Sequence, residues 1–309
     1  MFARCFVRAA ALSTLALALL GCAAKSAPSP PPAPARAAKP RPEGLSMTYL
    51  GVAGWRIDDG ANVLLLDPNF SRPHIVDLSV ELVPNETEIS RYAPPHATAI
   101  LVGHSHYDHL LDVPEIARRT GAKVVGSEST LNVARASGLP EGQLVLAAPG
   151  ATLTFGPFAV RPLRGRHSLT GLPNLPIPRN VAVPLAAGAY HEGGTFHYLL
   201  RVRERTILFI GTANFIETEM EGLRPDVAII ASGLREKVPD YACRLMRALG
   251  RPRLVFANHF DAFQEPLGPS QMNLEDAERV QLAAFADEIH ACAPETKVVI
   301  PVHLDPMAI

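Results

Sequence analysis

The chain has 309 residues, 48% of them hydrophobic and 19% charged, with a formal net charge of −1. That length and balance suit a globular protein with one large core or two modest ones. With no basic cluster and only 6% aromatic residues, nothing points to nucleic acid or to charge-driven attachment at an anionic membrane surface.

The first 22 residues stand apart. Arg4 and Arg8 give a basic start, residues 9–20 are largely apolar, and Leu19-Leu20-Gly21-Cys22 sets small and apolar residues before a cysteine. The apolar stretch falls short of the about 20 residues that cross a bilayer as a helix. The pattern resembles a bacterial lipoprotein signal peptide, whose cleavage leaves Cys22 as the lipidated first residue, with a plain secretory signal cut near Ala24 as the alternative. Either reading expects an exported protein. Ala23 and Ala24 after Cys22 carry no aspartate retention signal, which favours the outer membrane over the inner, facing the periplasm. Residues 23–44 form a linker rich in proline and alanine, which favours extended polyproline conformations and serves as a semi-rigid tether. The folded domain is expected over 45–309. Of the cysteines outside the leader and Cys22, Cys243 and Cys292 remain, to be either paired or separately buried.

Residues 47–53 and 63–67 read as strands around the turn Asp58-Asp59-Gly60, and Pro68 ends the second. Residues 99–103 read as a buried strand stopped by Gly103. Helices at 111–120 and 131–136 alternate with strands at 122–125 and 144–147. Turn-bounded strands follow at 151–154, 158–163, 195–202 and 206–210. The last third alternates strands at 227–231, 254–257 and 298–301 with helices at 240–249 and 274–290, Gly250 providing a helix stop. Hairpin-linked strands early and strand–helix alternation later imply two packed sheets with helices outside, in an order the pattern leaves open.

The chemistry concentrates in His104-Ser105-His106-Tyr107-Asp108-His109, directly after the strand at 99–103. Three imidazoles and a carboxylate at a strand end suit zinc, iron, nickel or manganese, and no thiolate is present to demand a softer ion. One loop cannot close two metal spheres, so further ligands must come from other strand ends. His167 in Arg164-Gly165-Arg166-His167-Ser168 and His259 in Asn258-His259-Phe260-Asp261 both lie just past apolar strands. Asp67 and Asp226, at strand edges, read as acceptors that orient ligand histidines. His303 reads as structural. His191 and His197 flank Gly193-Gly194 in a loop over the site and read as solvated or substrate-facing. Arg164 and Arg166 read as surface arginines, with phosphate binding beside the metals as the alternative. No Gly-x-Ser-x-Gly elbow and no phosphate-cradling glycine loop occurs.

The His-x-His-x-Asp-His pattern of His104, His106, Asp108 and His109, with histidines after later strands, resembles the metallo-β-lactamase-fold hydrolase superfamily from about residue 45 to the C-terminus. Tyr49-Leu50-Gly51-Val52-Ala53-Gly54, Leu66-Asp67-Pro68 and His259-Phe260-Asp261-Ala262-Phe263 are most similar to the branch containing ascorbate-6-phosphate lactonase and N-acyl-phosphatidylethanolamine phospholipase D. The resemblance implies an α/β fold, a four-layer αββα sandwich with metals at one edge of the paired sheets. It implies a first ion on His104, His106 and His167 and a second on Asp108, His109 and His259, with Asp108 also orienting the attacking water as the catalytic residue. The implied cofactor is a divalent metal, zinc ahead of manganese or iron, at one or two ions per chain.

In the family an aspartate from a Gly-Asp-Thr-like turn bridges the two ions. Here that turn is Phe209-Ile210-Gly211-Thr212-Ala213-Asn214, and Thr212 stands in the aspartate's place. Two divalent ions repel, and bridging anions offset that repulsion. Three outcomes follow: one tight ion with a weak partner, a single-metal site, or a second site rebuilt with Thr212, Asn214 or a displaced Asp261. The expected activity is hydrolysis of a phosphodiester or lactone in a small-molecule or lipid-derived substrate, with membrane contact through the lipid anchor. The alternative is a non-catalytic metal-binding envelope lipoprotein with a degenerate second site.

Overall fold

Short leucine- and valine-rich runs recur from Ser46 onward, and in the computed structural model they pair into two seven-stranded sheets. The structure describes residues 44–309 apart from 263, 269–273 and 275; the leader, Cys22 and nearly all of the linker lie outside the described residues. In chain order come β1 (Ser46–Gly51), β2 (Gly54–Asp58) and β3 (Val63–Leu66), the two-residue β4 (Glu81–Leu82), then β5 (Ala99–Leu101), β6 (Lys123–Gly126) and β7 (Leu144–Leu146). Next are β8 (Leu153–Phe155), β9 (Phe158–Arg164), β10 (Leu185–Ala186), β11 (Phe196–Val202), β12 (Arg205–Ile210), β13 (Val227–Ala231), β14 (Leu254–Asn258), β15 (Lys297–Val299) and β16 (Pro306–Ala308). One sheet runs β16-β1-β2-β3-β5-β6-β7, the other β15-β14-β13-β12-β11-β9-β8, and β10 pairs with β4 apart from both.

The helices are α1 (Glu86–Tyr92), α2 (Tyr107–Leu110), α3 (Val113–Thr120), α4 (Glu128–Ala136), α5 (Glu217–Met220), α6 (Tyr241–Ala248) and α7 (Asp276–Cys292). The period-two alternation of strands sorts the first sheet's side chains into two cores. Met47, Tyr49, Trp55, Leu64, Leu66 and Leu101 pack towards the second sheet. Val63, Leu65, Ile100 and Val124 pack instead with Val113 and Ile116 of α3 and Leu131 of α4. Both faces being covered, all of β3 is buried, which is why these strands read as unbroken apolar runs. The second sheet is covered by α6 through Leu245 and Met246 and by α7 through Phe285 and Ile289. The layers are α, β, β, α, as the sequence led us to expect. Cys243 of α6 and Cys292 of α7 form a disulfide with Cα atoms 5.6 Å apart, choosing between the two expectations for that pair.

Where the strand at 47–53 was expected to end, the chain instead reverses. Gly51 and Val52 both take positive φ (82° and 55°), and β2 returns antiparallel along β1. The helix α1, capped by Asn85 accepting from Thr87 N and Glu88 N, and the edge strand β16 were not expected either. The direction of the strands matters most for the site. β3, β5 and β6 run parallel, as do β12, β13 and β14, so their C-terminal ends gather on common edges, where open α/β sheets bind ligands.

Candidate metal centre

The hexapeptide follows β5, and its backbone changes character at His106. His106 is extended (φ −63°, ψ 153°) and caps α2, so Asp108 and His109 lie in a helical turn. That switch splits the motif between two groups. His104 and His106 meet His167 from the end of β9; Asp108 and His109 meet His259 from the end of β14. In each group the candidate ligand atoms lie within 4.8 Å of one another. His104 Nε2 is 3.0 Å from His106 Nδ1 and 3.1 Å from His167 Nε2. Asp108 Oδ2 is 3.4 Å from His109 Nε2 and 3.3 Å from His259 Nε2. All six residues expected at the site are brought together.

Asp67, at the end of β3, orients this cluster. Its Oδ1 accepts from Gly103 N at 2.6 Å and its Oδ2 meets His109 Nδ1 at 2.7 Å. The second contact fixes a proton on Nδ1 and leaves Nε2 facing Asp108. A Cβ on Gly103 would stand 2.9 Å from Asp67 Oδ2, so the close approach requires glycine there. The segment after Glu192 is stitched beneath the motif, Ser105 N donating to Glu192 O and Phe196 N to Gly103 O.

The electrostatics suit a cation. Burial, helped by neighbouring imidazoles, pushes His104 well below the ordinary histidine range, and burial brings His106 and His167 to about 4, so all three are neutral near pH 7. Three neutral ring nitrogens directed at one another are what a divalent ion requires of its ligands. Burial opposes charge on His109, yet Asp108 and Asp67 outweigh it and push that histidine up to about 10. The space between the two carboxylates therefore calls for positive charge. His109 Nε2 is buried and, among the described residues, makes no hydrogen bond, with Asp108 Oδ2 3.4 Å away. Burial disfavours charge on Asp108 too, but His109 and His259 hold it well below the usual carboxylate range. The residues present fit a divalent metal.

Other expected residues sort differently. Thr212 Oγ1 accepts from Ser168 N at 3.0 Å and donates to Ser168 Oγ at 3.1 Å. Asn214 Nδ2 donates to His167 O at 3.0 Å, while its Oδ1 accepts from Phe215 N. Both side chains thus brace the segment carrying His167, a role the sequence did not suggest. The Asp261 carboxylate is engaged outside both ligand groups, meeting Tyr49, Val52, Arg72 and His303. Asp226 is a correction: its Oδ2 accepts from Thr206 N at the start of β12, the opposite end from Thr212, so it orients no ligand. His197 is another. It lies inside β11, fully buried, with Nε2 3.0 Å from Asn214 O, because the alternation of the strand turns it inward. His303 is structural as expected, 2.9 Å from Asp261 Oδ2.

A cavity of about 910 Å³ opens beside His167, lined by Arg164, Arg166, Leu169, Leu172, Asn214 and Ile216 among others. Leu169 and Leu172 are 52% and 59% exposed, and Arg164 lies 3.8 Å from Glu219.

Comparison with known proteins places the chain. Residues 62–283 match the beta-lactamase superfamily domain. A metal-dependent hydrolase of Pyrobaculum neutrophilum is 32% identical over 223 residues, covering 71% of this chain and 85% of that protein. One from Anaeromyxobacter sp. is 28% identical over 229 residues, covering 70% and 75%. Among solved structures, the metallo hydrolase Igni18 of Ignicoccus hospitalis superposes with a TM-score of 0.56 at 18% identity, covering 86% of this chain and 99% of that one. CmlA, a diiron β-hydroxylase from Streptomyces venezuelae, gives 0.54 at 17% identity, covering 88% and 55%. Fold, site geometry and family match define a metallo-β-lactamase-fold protein. The chain belongs to the beta-lactamase superfamily.

Proposed function

We propose that this protein is a metal-dependent hydrolase of the bacterial envelope, acting on a phosphodiester or a lactone in a small-molecule or lipid-derived substrate. The observation that carries the reading is the convergence of two ligand groups at the ends of β5, β9 and β14. His104, His106 and His167 would hold one ion and Asp108, His109 and His259 a second. A divalent ion there supplies a Lewis acid and brings the pKa of water towards neutrality. Zinc suits the nitrogen-rich groups, with manganese and iron as alternatives. Asp108 accepts the hydrogen bond of the attacking water and orients it. The names of the curated relatives support hydrolysis; they name no substrate.

The cavity beside His167 supports a substrate with an anionic group and an apolar portion, since Arg166 and the exposed Leu169 and Leu172 share its wall. The test is metal analysis of the purified protein beside assays with bis(p-nitrophenyl) phosphate and a neutral lactone. Bound metal with turnover of either substrate is expected; a protein that takes up no divalent metal sinks the reading. Bound metal without turnover favours the non-catalytic metal-binding lipoprotein, which the lost bridging aspartate at Thr212 also supports. Replacing Arg166 by glutamine should raise KM for the phosphodiester about tenfold, by loss of a charge-assisted contact, and leave KM for the lactone unchanged. Equal effects on the two substrates would remove the arginine from anion recognition.

The envelope location rests on the leader ending at Cys22, and a disulfide between Cys243 and Cys292 is in keeping with an oxidising compartment. Cys22→Ser is expected to abolish palmitate incorporation and block leader processing. Normal labelling of that variant would refute the lipid anchor.

A further inference from the structure

His259 occupies left-handed backbone, φ 51°, a conformation that disfavours residues with a Cβ, so its neighbours must hold it there. Its N–H donates to Val52 O at 2.8 Å and its carbonyl accepts from Gly233 N. Val52 is left-handed as well, and its N–H donates to Asp261 Oδ1 at 2.7 Å. Tyr49 Oη lies 2.8 Å from both Val52 O and Asp261 Oδ1. On the other oxygen, Asp261 Oδ2 accepts from Arg72 Nη2 at 2.8 Å and meets His303 Nε2 at 2.9 Å. Arg72 Nη2 also donates to Ala262 O at 2.7 Å. Tyr49, Val52, Arg72, Asp261 and His303 are all buried, Arg72 at 5% and Asp261 at 7% exposure, while His259 itself is half-buried.

The arrangement joins parts of the chain far apart in sequence: the β1–β2 reversal, the segment after β3, the segment after β14, and the approach to β16. Gly51 makes room for it. A Cβ there would stand 2.1 Å from Arg72 Nη1 and 3.1 Å from Asp261 Oδ2 and His303 Nε2. None of these contacts reaches the His104–His106–His167 group. They converge on the turn that presents His259.

We propose that Asp261 is the hub of a positioning clamp for His259, held by Arg72 and His303, which makes ion uptake by the Asp108–His109–His259 group depend on side chains outside both groups. Asp261, Arg72 and His303 are positioning residues. The clamp acts through the Val52 turn, which fixes the His259 backbone. A buried carboxylate saturated by several donors is hard to shift, and that stiffness is handed to the histidine.

The test uses the full chain with Asp261→Asn, His303→Ala and His303→Gln, the last keeping a side-chain N–H donor for Asp261. In metal-free protein, hydrogen–deuterium exchange should speed up about tenfold or more at Val52 and His259 in Asp261→Asn and His303→Ala, with residues 104–106 unchanged. Titration with cobalt should show the step assigned to the Asp108 group weakened about tenfold or more, and the three-histidine step unchanged. His303→Gln should recover most of both effects. Unchanged exchange at His259, or equal losses in the two groups, overturns the clamp. Should Asp261→Asn fail to fold, the two His303 variants carry the same comparison. The cobalt arm rests on the metal-binding reading, whereas the exchange arm does not. A wild type that takes up no cobalt would end that reading and leave exchange to decide the clamp.

Discussion

Replacing His106 by alanine is expected to remove at least one bound ion per chain and to lower hydrolysis about a thousandfold or more, with the fold intact. His106 Nδ1 lies 3.0 Å from His104 Nε2, and with His167 these are the three imidazoles of the first group. Burial holds His106 neutral, its pKa at about 4, so it is competent as a ligand without losing a proton. Two remaining histidines leave a divalent ion far from the four-coordinate shell zinc prefers. The substitution separates binding from folding because His106 caps α2 without a side-chain hydrogen bond, and alanine sacrifices no cap there. The metal-free variant should therefore melt within a few degrees of the metal-free wild type. Metal content by elemental analysis is the deciding measurement. An unchanged metal-to-protein ratio would refute the assignment of His106.

The parts of this architecture legible in the sequence are those written locally. Strands such as β13 and β14 are runs of apolar residues between breakers, and three imidazoles within six positions after such a run carry their chemistry on their face. Asp67 and Asp226 show where local reading stops short. Both flank strands, but Asp67 follows β3 while Asp226 precedes β13. In parallel sheets ligands gather at C-terminal strand ends, so strand direction, available in the sequence, already distinguishes them. His197 lies within the strand expected at 195–202, but which face of that strand turns to the core is set by its pairing with β9 and β12, partners that the local sequence does not name. The four residues of α2 give too short a pattern for helical periodicity to register. The segments 49–54 and 259–263 stand out locally, but their meeting at Asp261 does not, and Arg72 lies 189 positions from Asp261.

The Thr212→Asp variant is expected to tighten the second ion about tenfold or more and to raise phosphodiester turnover. Among the residues of the two ligand groups, Asp108 is the single carboxylate, so little negative charge offsets the repulsion between two divalent ions. The wild type should consequently hold one ion firmly and the other weakly. Thr212 is buried, and its Oγ1 accepts from Ser168 N and donates to Ser168 Oγ. A carboxylate at this position can keep the first contact and accept the Ser168 hydroxyl proton in place of the second, so the His167 segment retains its brace. Without an ion, the added charge is buried with no cation to balance it and should lower metal-free stability. Metal should then restore more stability to the variant than to the wild type. Calorimetric titration with zinc and thermal melts with and without it test both halves. Two equally tight ions already present in the wild type would overturn the weakened-site reading, and a variant whose melting responds to metal no more than the wild type's would place Thr212 out of reach of the ions.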